Sequence, residues 1–104
     1  MRYAIQIATI TVLALTPTLA AAQESAGRAV ECAVYGAFAP PGNPRDEAAK
    51  SAIQATIDAA LASGAMTREQ FSADFSDRTE LAIDQQTRSE LTANWAECRD
   101  SFAP

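Results

Sequence analysis

From Ser25 onward, apolar residues recur three and four positions apart, and no stretch alternates apolar with polar long enough to make a strand. That periodicity predicts an all-α domain, a small bundle of three to four helices. The first helix is expected over about Ser25 to Phe38, with Ala26, Ala29, Val30, Ala33, Val34 and Ala37 on one broad stripe. Cys32 and Tyr35 fall roughly opposite that stripe. A helix with apolar or bridging residues on both sides suits burial between neighbours, so this one is expected at the centre. Pro40 biases Ala39 away from helical angles, and the run Ala39, Pro40, Pro41, Gly42 ends the helix.

The next start is signalled by Asn43 as cap, Pro44 in the first helical position, and Asp46 and Glu47 against the positive end of the helix dipole. This second helix is expected to run to about Ser63, with Ala49, Ile53, Ile57, Ala60 and Leu61 inward and Gly64 as a left-handed stop. Thr67 and Gln70 form a capping box, and Met66 ahead of it is placed to pack on Phe71. Phe71 and Phe75 share one face, whereas Leu91, Trp95, Cys98 and Phe102 share another. On one straight helix those faces would point about 170° apart at about 100° per residue. A break is therefore required, and the polar run ending in a second capping box, Thr87 with Glu90, places it near Gln86 rather than at Ser76 and Asp77.

The segment ahead of the domain has a different pattern. Arg2 is followed by an apolar run from Tyr3 to Leu15, then Pro17, then small residues at Ala20 and Ala22. This is the layout of a signal peptide, 1–22, with cleavage expected between Ala22 and Gln23. The apolar run is shorter than the roughly 20 residues that span hydrocarbon as a helix. No cysteine stands after the small residues, so lipid attachment is not indicated. The remaining domain, 23–104, is expected to be periplasmic or secreted, with no stable membrane insertion once the leader is removed.

Export changes the meaning of the two cysteines. Cys32 and Cys98 both follow the cleavage point, and in an oxidising compartment an even pair reads as one disulfide. It would close a loop of most of the domain and stabilise it by roughly 4 kcal/mol in the chain-entropy model. A domain this small buries only about 60 to 65% of its unfolded surface, so the staple matters.

Composition then narrows the chemistry. The chain has 8 basic and 13 acidic residues, a net charge of -5 and no histidine. That field repels phosphate backbones, which argues against nucleic-acid binding. Without histidine the commonest general base and metal ligand is missing, and a cysteine nucleophile would lack its usual activator. Cysteines 66 positions apart also do not resemble the close pairs of redox enzymes. Asp74, Asp77, Glu80 and Asp84 carry oxygens, but the Asp/Asn spacing and glycine of a calcium loop are absent, so they read as an exposed acidic face. No nucleophile elbow or phosphate loop is present, and Lys50 is the single lysine.

No catalytic residue, cofactor or metal site is assigned. Trp95 and Phe102 read as core with Cys98, and Tyr35 as core beside the bridge. Phe38 with Pro40, Pro41 and Pro44 reads as a rigid connection that could also serve as a recognition surface. The expected function is that of a small exported, non-catalytic protein that binds another exported protein, as an inhibitor, accessory or chaperone-like module. An acid-triggered chaperone is one form of it, since protonating the carboxylates would reverse the domain's charge and loosen the bundle. The alternatives are an accessory protein tethered by an uncleaved leader, and a minimal enzyme working through Asp46, Glu47, Asp74, Asp77, Glu80 or Asp84.

Overall fold

The structure is a computed structural model that describes the backbone of residues 2–104 and the side chains of residues 20–104. Four helices follow in order: α1 (Arg2–Phe38), α2 (Pro44–Ser63), α3 (Arg68–Gln85) and α4 (Arg88–Phe102). The apolar run and Pro17 of the expected leader lie outside the residues whose side chains are described. Among the described residues no helix is long and apolar enough to cross a membrane.

Local chemistry sets the element boundaries. The Asn43 side chain accepts from the backbone N–H groups of Arg45 and Asp46, with Pro44 opening α2 behind it. Gly64 ends α2 at φ 80°, in the left-handed region that glycine enters without a Cβ penalty. Both threonine capping boxes form. Thr67 accepts from the Gln70 N–H while the Gln70 side chain accepts from the Thr67 N–H, and Thr87 and Glu90 repeat the exchange. The Glu90 carboxyl is held below its ordinary value, chiefly because the Thr87 backbone N–H donates to its charged form and secondarily through the Thr87 side chain. The break between α3 and α4 falls at Gln86, as the opposed apolar faces require.

One boundary differs from expectation. The first domain helix was expected to begin near Ser25, yet α1 runs unbroken through Ala20–Glu24 and the expected cleavage point Ala22–Gln23. Alanine is the best helix former, and this stretch carries no cap or proline to stop it. Residues 20–25 are all exposed, and tight packing begins at Ala26. The packed domain therefore starts where the periodicity placed it, although the helix does not.

α1 is central, packing against each of the other three helices, while α2 and α4 also pack on each other. The core is built from Ala26, Ala29, Val30, Cys32 and Val34 of α1, Ala49, Ile53, Ile57 and Ala60 of α2, and Trp95 and Cys98 of α4. So many alanines carry little apolar area each, but they let helix axes approach toward the short end of the usual 8–10 Å range. Ala37, expected on the inward stripe, is exposed in the last turn of α1. Leu61 and Phe102 are half-buried at the core's margin.

α3 is held differently. Ala82 is its one fully buried residue, with Phe71 and Phe75 half-buried against the core at a ring separation of 5.8 Å. Much of the rest of its attachment is polar. Arg78 reaches across to Glu31 at 3.2 Å and along its own helix to Asp74 at 2.9 Å, and Gln86 just beyond the helix donates to the Tyr35 hydroxyl. Leu81 and Ile83 remain exposed.

Candidate functional site

The expected disulfide is formed: Cys32 and Cys98 are bonded with their Cα atoms 5.5 Å apart, and both are fully buried. It is consistent with an oxidising compartment outside the cytoplasm. Its complete burial separates both sulfurs from solvent, which suits a structural bridge.

The bridge sets α4 antiparallel along α1. Cys32 meets Cys98, and one turn further along α1 Gly36 faces Trp95 one turn back along α4. A Cβ on Gly36 would stand 3.2 Å from the six-membered ring of Trp95, so the glycine is what admits the indole against the helix backbone. Trp95 is thereby buried, and its Nε1–H has no acceptor among the described residues. An unpaired buried donor costs about 1 to 3 kcal/mol, which the packing of the ring must offset.

Beside this contact, between the end of α1 and the first turns of α4, lies a groove of about 420 Å³. One wall is the end of α1 and its loop, with Tyr35, Phe38, Ala39 and Pro40. The other wall is α4, with Arg88, Leu91, Thr92 and Trp95. The volume lies within the usual range for ligand sites, and the lining has the usual make-up of mostly apolar and aromatic surface with a few polar groups. Phe38 is exposed at its edge. Tyr35, expected in the core, is half-buried here instead, because its hydroxyl reaches out to Gln86, which in turn accepts from Asn94 at 2.9 Å. Gln86 and Asn94 themselves are not on the groove's lining.

The groove's charge is one-sided. Its lining contains no carboxylate, and its single ionised group is Arg88. Arg28, Arg45, Lys50, Arg78 and Arg99 each pair with an acid, whereas Arg88, like Arg68, has no ion-pair partner among the described residues. In a chain of net negative charge this is a local reversal of sign.

The acidic residues do not converge on a site. Among the described residues no group of three or more histidine, cysteine or acidic side chains could hold a metal ion. Asp74 is engaged by Arg78, while Asp77, Glu80 and Asp84 are exposed along α3 and Glu47 lies exposed on α2 near Lys50. Asp46 has a role that its place in the first turn did not reveal. It is buried and accepts from Arg99 at 3.3 Å, while neighbouring Arg45 holds Asp100 at 2.7 Å, so the start of α2 is tied to the end of α4. A second, smaller groove of about 220 Å³ lies between α1 and α3, and the Glu31–Arg78 pair stands in its lining.

Comparison with known family models, curated proteins and solved structures finds no match to this chain. The functional reading therefore stands on the groove itself.

Replacing Gly36 tests the floor of this site. Gly36→Val should destabilise the protein by about 1 to 3 kcal/mol, the usual cost of overpacking, and should shift Trp95 emission toward that of an exposed indole. Denaturant unfolding followed through this single tryptophan reads both, and unchanged stability and emission would show that the indole does not lie against Gly36.

Proposed function

We propose that the protein is an exported, non-catalytic binding module, periplasmic or secreted after loss of residues 1–22, that captures another exported protein in the groove between α1 and α4. The observation that carries this reading is the groove's composition: two walls of mainly aromatic and aliphatic side chains, with one cation and no carboxylate. Such surfaces match the anchors found at binding hot spots, where aromatic residues and arginine predominate. General acid–base work, by contrast, most often uses a histidine or a carboxylate placed beside a cleft, and neither lines this one. The leader pattern and the disulfide support export together, since the first supplies the route and the second the expected chemistry of the destination.

Two measurements test the reading separately. Intact mass of the protein recovered from its exporting cell should correspond to a chain beginning at Gln23, and a full-length mass would instead favour a tethered protein. Selection of displayed random peptides on the wild-type protein, counter-selected on Leu91→Glu, should enrich a consensus that the variant fails to hold. Equal enrichment on both proteins would remove the groove as the binding surface.

A further inference from the structure

The groove's polarity runs along one wall, and it restricts what the groove can accept. Arg88, Leu91 and Trp95 recur at spacings of 3 and 4 on α4, so they form a row from a cation, through an aliphatic side chain, to an indole. At about 1.5 Å per residue this row is about 10 Å long. An extended peptide advances about 3.3 Å per residue, so the row matches three residues of extended chain. Arg88 sits at one end of that row, its guanidinium has no protein hydrogen-bond partner among the described residues, and no acid on the lining competes for it. A guanidinium recognises a carboxylate through two parallel N–H···O bonds. The groove is partly open to solvent, so a chain can enter it while its remainder stays outside.

We propose that the groove is a docking site for the carboxyl-terminal segment of a partner polypeptide, with the terminal carboxylate on Arg88 and the preceding apolar side chains against Leu91, Tyr35 and Trp95. This rests on the reading of the domain as a binding module and adds the partner's chemistry. A partner that presents an internal loop would bring apolar side chains without the anion at the end of the row. A carboxylate alone would gain only the weak attraction of an exposed ion pair, so the apolar residues supply most of the affinity and the carboxylate sets direction.

The test uses the exported protein at neutral pH with a capped tetrapeptide ending in phenylalanyl-leucine, prepared as free acid and as carboxamide, and with sodium laurate as a non-peptide anion. Binding is read from Trp95 fluorescence and from the indole N–H resonance. The free acid should bind about three- to tenfold more tightly than the amide, the range expected for a partly exposed charge-assisted contact. Arg88→Gln should bring the affinities of acid and amide together, and Arg88→Lys should restore part of the preference for the acid. Arg88 is an exposed residue of the first turn of α4, so both variants should keep the wild-type unfolding curve. Equal binding of acid and amide would overturn the carboxylate assignment and leave the binding-module reading in place. Arg88-dependent binding of laurate without peptide binding would overturn the polypeptide assignment. Absence of peptide binding together with a failed display selection would remove both readings.

Discussion

The Cys32–Cys98 bridge joins the last two turns of α1 to the last turns of α4 at a Cα separation of 5.5 Å, and the register of the packed helices follows from it. With those two residues bonded, the antiparallel course of α4 brings Trp95 onto Gly36 and leaves Leu91 and Arg88 beside the end of α1. The same alignment carries the end of α4 to the start of α2, where Arg99 reaches the buried Asp46 and Asp100 is held by Arg45. A core made largely of alanine, valine and isoleucine has limited apolar area to offer. A covalent constraint worth about 4 kcal/mol is then comparable with the whole stability expected of a domain this size.

This arrangement divides the domain into a tightly fixed part and a loosely attached one. α1, α2 and α4 share buried side chains and the disulfide, whereas α3 contributes Ala82 and two half-buried phenylalanines and is otherwise attached through Arg78, Glu31 and Gln86. Regions with few buried apolar contacts open at lower free energy than the core they rest on. The groove is lined by α1, the loop after it and α4, with no α3 side chain on its walls. Both of its walls belong to helices joined by the bridge, so the groove is preorganised, and preorganisation lowers the entropic cost of binding.

The features legible in the sequence were those whose physics is local or covalent. Asn43, Thr67 and Thr87 announce helix starts because a side-chain oxygen satisfies N–H groups two or three residues away, and that pattern does not depend on the fold. The break at Gln86 was forced by two apolar faces that one helix could not turn inward together. The cysteine pair had one possible connectivity, and it is the one formed. The groove was only half visible. Phe38 and Pro40 stood out as a possible recognition surface, but Pro41 and Pro44 are not on its lining, and the α4 wall depends on which turn of α4 meets which turn of α1.

The role of Gly36 was hidden for the same reason. A glycine inside a helix reads as a weakness until the indole that needs its missing Cβ is in place. Asp46 likewise satisfied a local rule, the helix dipole, which concealed its long-range pairing with Arg99. The measurement that bears most directly on this account is unfolding of the exported protein by denaturant, oxidised and after reduction with alkylation, followed through Trp95. The account predicts that breaking Cys32–Cys98 removes about 4 kcal/mol of stability, enough to unfold most of a marginal domain or to bring its midpoint close to zero denaturant. Identical midpoints for the two forms would contradict it, because the remaining contacts would then suffice to hold α4 against α1.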